Sequence, residues 1–465
     1  MHTETLGRQN LRQVSHLHRD SVQGWSTGRS SWLRSPTLAA SALIGLATLV
    51  LRLSYGASRP TDAAGAGEVA GSLRFDVTHN APAAPGSWLY VAAGHLLHVV
   101  TGLTTVHSLV LLAAVASAAA AALTCVAGTA LGGRWVGMAS AALVASAPVS
   151  WFAGATVSTY SFDAFLGALL VVLARRARRS RAHGVVAVVA LGLGAGVRLS
   201  VVPAFAFLAL IAVVASVRTV WHLLTVIGAG VASVAAWFVP MITIQPGGLK
   251  AWLHAVHVQV SHAAHLSSVF VAPAAGARTN VGTFGAWSLV TLVPAIVIAI
   301  LGIVVAAGAR LATRQPAGNV ALRIWSTGAE TDDRAERPRY QGTAVILAAA
   351  LIPPVALVTL DRFAGGGAVL AYLVPATVLL LLPVARLLHH RTPGVRRASA
   401  IMATVLVAGG IAVNAQRFVA APGILPASVA RHHPTWWISQ TRYQAPYADT
   451  AATIRAADRR GTAAR

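Results

Sequence analysis

The chain has 465 residues, 56% hydrophobic and only 11% charged, with 36 basic side chains against 13 acidic and a formal net charge of +23. Soluble domains carry about 25% charged residues, so this composition excludes a water-soluble globular protein and indicates a polytopic membrane protein. The basic residues, all arginine except Lys250, are spread between apolar runs rather than gathered on one soluble face, which argues against a nucleic-acid partner.

Apolar runs of about 17–25 residues match the thickness of a bilayer core. They predict an all-α fold with about 11 transmembrane helices, near 36–53, 106–131, 135–153, 157–174, 184–197, 199–216, 220–240, 285–309, 342–360, 367–385 and 398–419. A polar N-terminal stretch with five arginines precedes the first run, which is therefore read as an uncleaved span rather than a signal peptide. The fifth run is short, and Gly192, Gly194 and Gly196 are expected to break or bend it.

Charge alternation orients these runs. With the N-terminus inside, 22 of the 36 basic residues fall in inner segments, the densest being Arg175 to Arg181. That placement explains the basic clusters as topology determinants, and no ligand is assigned to them. The expected organisation is a cytoplasmic tail (1–34), a membrane domain (35–419) with outer loops at about 54–105 and 241–285, and an outer C-terminal tail (420–465). The inner loop 310–341, with its acids among arginines, reads as solvated. Cys125, the single cysteine, lies inside an apolar run and reads as a small buried hydrophobe.

Three of the 13 acidic residues, Asp62, Glu68 and Asp76, fall in the first outer loop. Ionisable groups cluster at functional sites, so this loop is the place to expect acid/base or metal chemistry; the competing reading is that the acids solvate a long loop. The loop leads through Pro85, Gly86 and Ser87 into Trp88–Val100, a segment expected to lie along the membrane surface as a helix. In the second outer loop His254, His257, His262 and His265 share one helical face. Their i,i+3 pairing and the absence of an intervening carboxylate favour a polar interfacial face over a metal site.

At these residues the chain resembles the glycosyltransferase-C superfamily, and more closely the bacterial protein O-mannosyltransferase-like membrane proteins. Glu68 matches the glutamate of that family's acidic first loop, and His79, Pro85, Gly86, Leu89 and Tyr90 match its His-Pro-Pro-Gly-x-Pro-Leu-(Tyr/Phe) signature. Val157 to Phe165 resembles the segment that opens the fourth span, and Gly192 to Ser200 resembles a glycine-rich break. Gly65 stands where the family has an aspartate, and Ser158 where it has a glutamate.

The resemblance implies transfer of a sugar from a polyprenyl-phosphate donor, held in membrane lipid, to an unknown acceptor at the outer face of a bacterial plasma membrane. A carboxylate would deprotonate the acceptor hydroxyl and a cation would stabilise the departing phosphate. Asp76 is favoured as the base, with Glu68 second and Asp62 third. Arg198 is the leading phosphate ligand and Arg74 the second; His79, Tyr160, Asp163 and Arg362 complete the expected substrate-binding set. No residues are assigned to a metal, although a divalent metal ion is compatible, since metal-dependent and metal-independent modes both exist in the superfamily. Two other functions stay open. One is a non-catalytic partner that keeps the fold, consistent with Gly65 and Ser158. The other is a transporter or flippase of a lipid-linked intermediate, which the almost wholly Ala, Val, Leu and Gly span interiors disfavour.

Overall fold

The computed structural model describes residues 36–58, 60, 63–267, 274–312, 333–357, 366–388 and 393–419. Among these the chain forms fifteen α-helices, and its one β-type pairing is an isolated bridge between Asp76 and Ala81. The chain opens with α1 (Pro36–Ser54), α2 (Ala63–Leu73) and α3 (Trp88–Thr101). The centre of the chain forms α4 (Thr105–Gly132), α5 (Arg134–Ser146), α6 (Pro148–Ala155), α7 (Tyr160–Arg176), α8 (Ala182–Val197), α9 (Val201–Ser216) and α10 (Val220–Ile244). Then follow α11 (Gly248–Ser267), α12 (Ala274–Ala312), α13 (Asp333–Ala356), α14 (Leu370–Leu388) and α15 (Pro393–Val419).

Among the described residues five helices are long and apolar enough to cross a membrane: α1, α4, α10, and the segments Trp287–Gly308 of α12 and Gly394–Gln416 of α15. Helices α5 and α6 together make a sixth, bent by 61° where they meet. Helices α8 and α9 are 16 residues each, or ~24 Å at 1.5 Å per residue, short of a ~30 Å hydrocarbon core. By length and composition the described residues hold five or six crossings, where the apolar runs of the whole chain predict about eleven.

The bend replaces the single span expected over 135–153. Pro148 has no N–H to donate and disfavours helical geometry in the residue before it. Ala147 accordingly leaves the helix with φ −56° and ψ 129°, and Pro148 starts α6 instead. The break strands the Ala145 carbonyl, which accepts a hydrogen bond from Arg52 Nη2 at 2.5 Å. Arg52, fully buried near the end of α1, also donates from Nε to Ser117 Oγ at 3.1 Å and lies 5.2 Å from the centre of the Trp151 ring.

The interior is built around α4 and α14. Helix α4 packs against α1, α3, α5, α6 and α7, while α14 packs against α5, α7, α12, α13 and α15. Alanine, serine and glycine dominate the buried face of α4; in lipid such small residues let helix backbones approach closely. Helices α1 and α10 sit at the rim and leave Leu43, Leu46, Trp221 and Val231 exposed, as helices facing hydrocarbon do.

Helix α8 runs unbroken through Val197, so Gly192, Gly194 and Gly196 do not interrupt it. Their role is close packing. A Cβ on Gly192 would lie 2.0 Å from Ser233 Oγ, and one on Gly196 would lie 2.6 Å from the Trp237 ring and 2.8 Å from Leu89. The chain turns only after α8, at Arg198, Leu199 and Ser200, and that turn carries a charge into the site.

Candidate functional site

The segment between α2 and α3 is held as a strap across α2 and the α10–α11 corner. Gly67 and Gly71, one turn apart on α2, leave no side chain where the backbone of Asn80, Ala81 and Pro82 crosses; a Cβ on either would come within 2.6 Å of it. Trp252 Nε1 of α11 donates to the Pro85 carbonyl at 2.8 Å, and Phe75 meets Trp88 edge to face. The surface helix expected from Trp88 is α3, anchored by Tyr90, whose hydroxyl donates to the Leu109 carbonyl and accepts from the Ser158 N–H.

Asp76 sits inside this strap, 8% exposed. Its Oδ1 accepts from the Thr78 N–H at 3.0 Å, the Thr78 hydroxyl at 2.5 Å and Gln245 Nε2 at 3.2 Å, while Oδ2 lies 2.7 Å from His79 Nδ1. Gln245 also accepts from the Val77 N–H through Oε1 at 3.0 Å. Burial alone would raise the Asp76 pKa, but donation from Thr78, His79 and Gln245 outweighs it and holds the carboxyl below its ordinary value. Asp76 thus meets three donors at Oδ1 and His79 at Oδ2, and its basicity is reduced. The contacts suit a clasp.

Glu68, on α2, is half-buried, and the Ser87 hydroxyl lies 2.6 Å from each of its oxygens. Ser87 is the residue before α3, where a serine ordinarily caps the helix, yet its side chain makes no capping bond. The hydroxyl is spent on Glu68 instead.

Arg198 ends α8 in extended geometry, with φ −156° and ψ 113°. Its guanidinium carbon lies 3.7 Å above the centre of the Tyr160 ring, Nε donates to Ser200 Oγ at 2.8 Å, and Nε is 3.6 Å from Asp163 Oδ2. Tyr160 and Asp163 occupy the first turn of α7, three residues apart and so on one face. The Asp163 side chain is 5% exposed and that of Arg198 is 21% exposed, so the pair sits at the edge of the protein interior with Arg198 on the open side. Burial opposes the Arg198 charge, but Asp163, Tyr160 and Glu68 outweigh it and raise its pKa. Glu68 therefore belongs to the same electrostatic cluster although it comes from a distant helix.

The structure thus brings Tyr160, Asp163 and Arg198 into contact, with Glu68 near enough to favour the Arg198 charge. His79 points outward with its side chain 81% exposed, and Arg74 is exposed just past α2. Asp62 and Arg362 lie outside the described residues. Ser87, Ser200, Gln245, Trp252 and Arg52 were not expected from sequence. Ser87 carried a local signal, its position just before an apolar helix; Gln245 carried none, because its partner is 169 residues away. Among the described residues no three His, Cys, Asp or Glu side chains gather as a metal-binding group, and the histidines of α11 are exposed.

Fold and site define an all-α membrane protein with a cationic, carboxylate-braced cluster where one loop meets the ends of several spans. No protein-family model matches the chain, and no characterised protein matches its sequence. Among solved structures, the crystal structure of ArnT from Cupriavidus metallidurans bound to undecaprenyl phosphate is similar over 86% of this chain and 69% of that one, at 14% identity and a TM-score of 0.48. That likeness is too distant to carry function to this chain, so its chemistry rests on the residues themselves.

Proposed function

We propose that this protein is a membrane glycosyltransferase that moves a sugar from a polyprenyl-phosphate donor to an acceptor at the outer face of the membrane. The observation that carries the reading is Arg198: a mostly buried side chain, its guanidinium stacked on Tyr160 and braced by Asp163, with the Glu68 carboxylate close enough to influence its charge. A planar guanidinium suits bidentate recognition of phosphate, and a neighbouring carboxylate suits proton removal from a hydroxyl. In the proposed step the acceptor O–H gives its proton to Glu68 and its oxygen forms a bond to the anomeric carbon. The bond from that carbon to the phosphate oxygen breaks, and the lipid phosphate leaves against Arg198.

The roles follow from the contacts. Asp163 and Tyr160 position Arg198, and Ser87 orients Glu68. Asp76 holds the strap through Gln245, while His79 and Arg74 stand at its exposed edge; Asp62 and Arg362 stay as proposed contributors from outside the described residues. A glycosyltransferase-C-like fold of the mannosyltransferase-like kind, with eleven crossings, an inner N-terminus and an outer C-terminus in a bacterial plasma membrane, is part of the same proposal.

The test is release of sugar by purified protein in lipid from a panel of polyprenyl-phosphate sugars, with Glu68→Gln and Arg198→Gln alongside. Turnover in the wild type that both changes remove supports the reading. The absence of turnover with every donor and with a membrane extract as acceptor favours the non-catalytic partner, a reading that Gly65 and the occupied Asp76 also support.

A further inference from the structure

The arginine run that charge alternation explains as a topology determinant does more than orient the chain. Arg175, Arg176 and Arg179, at and just beyond the end of α7, line a cavity of about 270 Å³ together with Thr37 of α1 and Val126 and Thr129 of α4. Among the described residues no aspartate or glutamate lines it. Arg175 is steadied by donation from Nε to the Ala130 carbonyl at 3.4 Å, and both Arg175 and Arg176 are half-buried. Thr37 belongs to the first turn of α1, whose N–H groups and dipole also favour an anion. Helix α7 has 17 residues, so the cavity lies ~25 Å along it from Tyr160 and Asp163, at the other end of the bundle.

We infer that this cavity binds the phosphate of an anionic phospholipid headgroup. Three arginines, the Thr37 hydroxyl and a helix N-terminus form a donor set suited to a phosphate diester. Charge selects the ligand class: three arginines line the cavity at the end of a bundle of apolar helices, where the anion at hand is a lipid headgroup. Basic pockets between spans are recurrent headgroup sites. The inference does not depend on sugar transfer at the Arg198 cluster.

Native mass spectrometry of the full chain, released from detergent after incubation with dioleoyl phosphatidylglycerol, dioleoyl phosphatidylcholine or sodium phosphate, tests it. The wild type should retain phosphatidylglycerol in clear preference to phosphatidylcholine. An Arg175→Gln/Arg176→Gln/Arg179→Gln variant should lose that preference by about five-fold or more for each arginine removed. An Arg178→Gln/Arg181→Gln variant thins the same run at positions that do not line the cavity and should keep the preference. Equal retention of the two lipids by the wild type overturns the proposal without reference to any variant. Equal loss in both variants overturns it as non-specific charge attraction, and adducts of sodium phosphate without a phosphatidylglycerol preference overturn the lipid as the source of the phosphate.

Discussion

Ser87 stands at the N-terminus of α3 but directs its hydroxyl to Glu68, 19 residues earlier, rather than to its own helix. A capping serine is worth about 1 kcal/mol to a helix, and here that contribution is forgone to fix a carboxylate. Ser87→Ala should therefore change thermal stability by less than about 1 kcal/mol while lowering sugar release. Glu68→Gln should reduce turnover by about 10²–10⁴-fold, the range for loss of a general base. Thermal unfolding and donor turnover measured on the same preparations check both; a large stability loss in Ser87→Ala with unchanged specific activity would make the contact purely structural.

The Asp76 clasp should show itself in pH dependence. Its folded pKa lies below the unfolded value of about 3.9, so the stabilisation is present above about pH 4 and is lost as pH falls through the lowered folded value. Unfolding midpoints in detergent from pH 7 down to pH 3 should fall more steeply for the wild type than for Asp76→Asn. Gln245→Ala should cost about 1–3 kcal/mol, because it strips a partner from buried Asp76 and from the Val77 N–H. If Asp76→Asn abolished turnover with the fold intact, the base would lie there rather than on Glu68.

Arg198 and Asp163 form a pair that is costly to break from one side. Arg198→Ala should destabilise by roughly 3–5 kcal/mol, since it leaves a buried carboxylate without compensation. Adding Asp163→Asn should recover part of that loss, giving a double-mutant cycle with a coupling energy. Arg198→Lys keeps the charge but loses the planar fork and the stacking on Tyr160, so it should retain stability better than it retains affinity for a polyprenyl-phosphate donor. Additive effects in the cycle would show that the two residues act separately.

Helix α8 should tolerate no added side chain on its α10 face. Gly196→Val meets Trp237 and Leu89 at less than 3 Å, and overpacking of this kind costs about 1–3 kcal/mol. The strap depends on the same region through Leu89, so turnover should fall together with the unfolding midpoint. Gly228→Ala, in open space on α10, is the matched control and should leave both unchanged.

The all-α membrane class, the segments that become helices and the arginine-rich ends are legible from sequence because apolar run length and charge spacing are local properties. The bend at Ala147 was missed, because the continuous apolar run over 135–153 reads as one span and conceals the break that Pro148 imposes. What the acids of the first outer loop do was not legible. Asp76 and Glu68 lie eight positions apart in one loop, and each acquires its role from a remote partner: Asp76 from Gln245, 169 residues on, and Glu68 from a cluster with Arg198. The same holds for Arg175, Arg176 and Arg179, a charge run in sequence and a cavity wall once α1 and α4 pack against them. Periodicity and composition decide which segments enter the membrane, because each segment is solvated by lipid or water largely on its own account. Only tertiary packing decides which donor meets which carboxylate, because a hydrogen bond is fixed by distances of about 3 Å that no local pattern encodes.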